Sequence, residues 1–102
     1  MPELPESWVR YADFKFQQGA YPAVITLIEE AAEYTWGAGL YFIQAAAEFK
    51  MKKRKQALRS LEEALSEGVE EHEVLFTYIP ELREDKDVKA ILRYFTLEHE
   101  EG

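Results

Sequence analysis

Apolar positions recur at helical spacing from Trp8 onward, and the pattern returns 33 residues later. Trp8 meets Tyr41, Val9 meets Phe42, Ala12 meets Ala45 and Phe16 meets Phe49. Further along, Val24 meets Ala57, Ile25 meets Leu58, Ile28 meets Leu61 and Ala31 meets Ala64. A period of this size marks stacked supersecondary units, none of which can bury its apolar face alone.

The spacing predicts a first helix from about Ser7 to Gln18, with Trp8, Tyr11, Ala12 and Phe16 on one stripe. Gly19 is placed to end it in a left-handed conformation, which costs glycine little. A second helix starts near Tyr21 and Pro22, since proline fits a first helical turn. Val24, Ile25, Leu27, Ile28, Ala31 and Ala32 make it broadly apolar, as a helix packed between neighbours must be. Thr35-Trp36-Gly37-Ala38-Gly39 interrupts the pattern, and Trp36 could fold back there as a lid. The third helix is expected from Leu40 to about Met51 and the fourth from about Lys55 to Glu67. Gly68 and Val69 then offer a Schellman ending.

Beyond Glu71 the 33-residue register fails, and local pattern alone guides the reading. Val74, Leu75, Phe76 and Ile79 predict a short helix stopped before Pro80. Glu81 to Glu84 reads as a turn, and Asp85 as the N-cap of a last helix bearing Val88, Ile91, Leu92 and Phe95. The tail from Glu98 to Gly102 is expected to be frayed and solvated. The fold class is therefore all-α: one domain of about six helices, with units at about 5–37 and 38–70 and a closing pair at about 71–97. That pair is expected to cover Leu58, Leu61 and Leu65.

Composition narrows the chemistry. Without cysteine there is no disulfide, thiolate metal site or thiol nucleophile. A net charge of −8 opposes nucleic acid as a general partner. No stretch approaches the ~18 apolar residues of a membrane span. The opening Met1-Pro2-Glu3-Leu4-Pro5-Glu6 has neither the basic run nor the apolar stretch of a secretory signal, so a cytoplasmic protein is expected.

Trp8, Tyr11-Ala12, the turn at Gln18-Gly19-Ala20-Tyr21, Val24, Ile28 and Ala31 resemble the tetratricopeptide repeat. Tyr41, Ala45, Phe49, Ala57, Leu61 and Ala64 repeat the resemblance. It covers about Pro5 to Glu71. Departures are Lys15 and Glu48 where the family prefers Tyr, Gln44 for its Leu, Lys52 for its turn glycine, Val24 for its Ala, and Trp36 for its Pro. The resemblance implies antiparallel helix pairs whose inner helices line a concave face. On that face it would place Val9, Asp13, Phe16 and Gln17 with Phe42, Ala46, Phe49 and Lys50. An apolar strip edged by polar groups suits a peptide or partner helix. The family's carboxylate clamp is missing, because Val9, Asp13 and Ile43 at its positions donate nothing to a carboxylate.

The expected function is thus non-catalytic protein–protein recognition, with a homo-oligomer built on the same apolar surface as the alternative. A third reading is an anion or nucleic-acid module at the basic turn 50–59, through Lys52, Lys53, Arg54, Lys55 and Arg59. The bland reading of that run is a solvated turn whose cations favour a helix C-terminus. His72 and His99 lack ligand-spaced partners, so no metal, cofactor or catalytic residue is expected. The partners expected are another protein or peptide, with no nucleic acid and no membrane.

Overall fold

A computed structural model describes residues 5–35 and 37–101, with side chains over 7–35 and 37–97. Six α-helices follow one another: α1 Pro5–Gln17, α2 Tyr21–Ala31, α3 Ala38–Lys50, α4 Arg54–Glu67, α5 Glu73–Tyr78 and α6 Lys86–Glu101. Short 3-10 turns at Val69–Glu71 and Pro80–Glu84 flank α5. No strand occurs among the described residues. None of the described helices is long and apolar enough to cross a membrane.

The 33-residue echo is written into the backbone. Pro5, Gln17 and Tyr21 bound α1 and α2, and Ala38, Lys50 and Arg54 stand 33 residues later at the same bounds of α3 and α4. The turns between the paired helices match bond for bond. Gly19 N–H donates to Phe16 O (2.9 Å) and Ala20 N–H to Lys15 O (3.0 Å). Lys52 N–H donates to Phe49 O (3.0 Å) and Lys53 N–H to Glu48 O (2.9 Å). Each is a Schellman ending, which needs a left-handed residue at its centre. Gly19 has φ 78° and Lys52 has φ 63°, so the lysine holds a glycine's conformation with a side chain attached. The residue opening the next helix also repeats, Ala20 at φ −87°, ψ 62° and Lys53 at φ −97°, ψ 66°.

Small side chains set the helix approach. Ala12, Val24, Ala31, Ala45, Ala57 and Ala64 are all fully buried, allowing paired helices to pack closely. Trp8, Phe42, Ile43, Leu61 and Leu65 fill the space around them. Trp8 stacks under Tyr34 at 6.1 Å between ring centroids. The lid expected of Trp36 falls outside the described residues. Between α3 and α4 the buried Glu48 carboxylate accepts a 2.5 Å hydrogen bond from Ser60 Oγ. Burying a carboxylate is tolerable only with such a partner.

Gly68 departs from expectation. Its backbone is extended (φ −167°) and makes no left-handed Schellman ending. What it supplies is room: a Cβ there would stand 3.0 Å from Ala38 Cβ at the start of α3.

The closing segment keeps the spacing of the register along the chain but not its packing. Helix α6 begins at Lys86, near the 33-residue step from Arg54, so Val24 and Ala57 are followed by Ala90. Likewise Ile25 and Leu58 lead to Ile91, Ile28 and Leu61 to Tyr94, and Ala31 and Ala64 to Leu97. In the structure these counterparts of buried positions, Ala90, Tyr94 and Leu97, are exposed, so α6 turns a different face to the core and the register fails there as it does at α5. Tyr78 stands where Ala12 and Ala45 stood, and the chain turns at Pro80. Helix α6 packs on α4, with Val88 buried and Ile91, Leu92 and Phe95 half-buried over the core that holds Leu61 and Leu65. Asp85 caps it as expected: its Oδ1 accepts from Asp87 N–H (3.0 Å) and Val88 N–H (3.1 Å). The tail expected to fray continues α6 to Glu101.

Candidate functional site

The inner strip is where the sequence reading put recognition, and α5 closes much of it. That short helix packs on α3, and Tyr78 at its end reaches across to α1. Phe42 and Ala46 have no accessible surface and Phe16 is buried. Those three are core side chains and are unavailable to a partner, a correction to the expected groove. Phe16 is held edge-on by Tyr78 at 4.7 Å and by Tyr21 at 5.1 Å. The cause is apolar area: Leu75, Phe76 and Ile79 need burial, and the strip on α3 provides it.

Around that plug the remaining positions spread apart. Val9 and Asp13 are half-buried, and Gln17 Nε2 donates to Asp13 Oδ1 at 3.5 Å. Burial, then the neighbouring Asp13 carboxylate, pushes the Tyr78 hydroxyl above its ordinary pKa. Phe49 and Lys50 lie at the other end, bordering a hollow of about 480 Å³. Its rim mixes Lys52 and Arg54 with Glu81, Glu84 and Asp85, so its cations already face carboxylates.

The basic turn is depleted in the same way. Lys52, Lys53, Lys55 and Arg59 are exposed. Arg54 is committed elsewhere: its Nη2 donates to Asp85 Oδ1 and to Asp87 Oδ2, both at 2.8 Å. These carboxylates raise the guanidinium above its ordinary pKa, Asp85 foremost. Arg54 in turn holds the Asp85 carboxyl below the usual range, helped by the two backbone N–H groups it caps. Arg54 therefore clamps α6 to the start of α4. It is the member of the proposed anion patch that the structure removes.

A different surface stands open. On the side of α1 facing away from the core, Tyr11 is 52% and Phe14 59% exposed. With Ser7 and Arg10 they line a hollow of about 400 Å³. Tyr11 shares the helical spacing of Trp8, Ala12 and Phe16, yet those three are buried and Tyr11 is not. Phe14 carries no sequence signal of its own, because a single exposed aromatic is ordinary on a surface.

The signal that reveals this face is the repeat itself. Ser7, Arg10, Tyr11 and Phe14 correspond, 33 residues on, to Leu40, Ile43, Gln44 and Ala47. Leu40, Ile43 and Ala47 are buried and Gln44 is half-buried. Helix α3 packs against α2 and α1, and Leu40 borders the same small cleft as Ile28 of α2 and Ala32 just after it. The face that α3 turns to a neighbouring helix is thus the face that α1 leaves in solvent.

No group of three or more His, Asp or Glu side chains converges among the described residues. His72 is occupied locally, with Nδ1 2.9 Å from Val69 O and Nε2 3.3 Å from Glu73. Comparison with protein-family models, curated proteins and solved structures returns no match.

Proposed function

We propose that this chain is a non-catalytic protein–protein interaction module that takes a helix of its partner on the outer face of α1. One observation carries the reading: the equivalent positions on α3 are buried or half-buried among its neighbouring helices, while Tyr11 and Phe14 on α1 are more than half exposed. Aromatic side chains bring large contact area at small conformational cost, which suits them to anchor an interface. Arg10 at the rim adds a charged donor that orients what binds. The inner strip, the expected site, is a weaker candidate because α5 already lies on it.

The test compares variants in partner capture. Phe14→Glu keeps the helical circular dichroism of the parent and loses the partner. Lys50→Glu, on the inner side, keeps both. Capture by a folded Phe14→Glu protein would move recognition away from α1.

A further inference from the structure

We infer that the helix taken by α1 is acidic: an amphipathic helix whose apolar stripe is bordered on both flanks by carboxylates. This rests on the proposed role of the α1 face and adds the chemistry of its occupant. Successive residues turn by about 100° around a helix axis, which orders the side chains of α1 around it. Phe14, Ser7 and Tyr11 follow one another across the outer side, with Arg10 on one flank and Lys15 on the other. The hollow of about 400 Å³ lined by the two aromatic rings has room for a large apolar side chain.

Both flanking cations face solvent. Arg10 and Lys15 are exposed, and neither joins an ion pair among the described residues. Asp13, the one acidic side chain described on α1, is half-buried on the inner side beside the Tyr78 hydroxyl. Arg54 of the basic turn, by contrast, already holds two carboxylates. The described outer face of α1 thus presents two cations and no carboxylate, in a chain of net charge −8.

The range of the charges selects the class of partner. At physiological salt they are screened over about 8 Å, and a helix with its side chains is about 10 Å across. An occupant of that width lying along α1 meets Arg10 and Lys15 ahead of the chain's other charges. A flat anionic membrane would have to approach a wider surface of a chain whose net charge is −8. A second copy offering the same face would bring two further cations to the joint.

Two designed peptides test this by fluorescence anisotropy. Each carries a Leu stripe at helical spacing; one borders it with Glu on both flanks and its twin with Lys. On net charge alone this protein should favour the Lys peptide. The inference predicts the reverse, with the Glu peptide bound about tenfold tighter, the scale of two exposed ion pairs. Arg10→Glu/Lys15→Glu, changing two exposed positions and keeping the circular dichroism of the parent, should invert the order. A parent that favours the Lys peptide overturns the inference, as does one that leaves the Glu peptide unbound at millimolar concentration. So does a charge-reversed variant that keeps the parent's order. If Phe14→Glu abolishes binding of a favoured Lys peptide, α1 still takes a helix and only the chemistry assigned to its occupant falls. Binding that survives Phe14→Glu removes the helix-binding role from α1 as well. Co-sedimentation with phosphatidylserine vesicles that Arg10→Glu/Lys15→Glu abolishes would give the face to lipid and overturn the inference. A parent dimer dissolved by Phe14→Glu would do the same in favour of a second copy.

Discussion

At Ala12 and Ala45 the inner helices carry a methyl group, and α1 and α3 each run 13 residues alongside an outer helix. At the third equivalent position stands Tyr78, and its helix ends there after six residues. The first two units are held by shape, with alanines at close crossings and Ile28 or Leu61 beside them. The closing segment is held by apolar burial on α3 and by an ionic clamp. Arg54 grips Asp85 and Asp87, and Arg83 reaches the Glu73 carboxylate at 2.5 Å. One repeat frame can thus be closed in two ways, and the second way sacrifices the inner strip as a binding face.

The largest test of this contrast is Phe42→Glu. Were α3 lined up along an open groove, the change would leave the fold intact. With Phe42 fully buried, loss of the ring alone costs about 3–5 kcal/mol, and an unpaired carboxylate adds to that. Urea unfolding followed by far-ultraviolet circular dichroism should find the variant largely unfolded. Next comes Ala45→Leu, which overpacks the crossing that defines the regular units. A loss of about 1–3 kcal/mol is expected, and a change within ~0.5 kcal/mol would show that α3 and its neighbours do not meet there.

On the clamped side, Asp85→Ala removes the cap of α6 and one arm of the Arg54 clamp, for a loss of about 1–2 kcal/mol at neutral pH. The pH dependence follows from the direction of the shift. The folded pKa of Asp85 is depressed, so its contribution is complete above the unfolded value of ~3.9. It is lost as pH falls through the lower folded value. Urea midpoints of parent and variant should therefore converge below about pH 4. The smallest effect belongs to Lys52→Gly, which places glycine where Gly19 stands in the first unit. Relief of the left-handed strain should stabilise by up to about 1 kcal/mol in the same urea assay.

The regular half of the molecule was legible because its cause is periodic. Ala12 and Ala45, Ile28 and Leu61, and the turns at Gly19 and Lys52 recur at a spacing that sequence displays directly. Asp85 was legible for a local reason, since a short carboxylate before a helix accepts from N–H groups two and three residues on. The destination of α5 was not legible. Leu75, Phe76 and Ile79 require burial wherever they land, and nothing in their local pattern distinguishes the strip of α3, where the structure places them, from any other apolar face. Helix α6 does not continue the frame in its packing: Tyr94 and Leu97, at the positions of buried Leu61 and Ala64, are too bulky for such a crossing and are largely exposed. The outer face of α1 was hidden by an ambiguity of helical spacing. Tyr11 sits three residues from both Trp8 and Phe14, so it could join either stripe.

The central claim is that the accessible aromatic face lies outside α1 while the inner strip is sealed, and thiol labelling reads this most directly. The chain has no cysteine, so a single introduced thiol gives an unambiguous signal. Phe14→Cys should react with a thiol reagent under native conditions as fast as it does in urea. Ala46→Cys, a small change at a site with no accessible surface, should react only when the protein unfolds. Rapid native labelling of Ala46→Cys, or protection of Phe14→Cys in the dilute protein, would contradict the account.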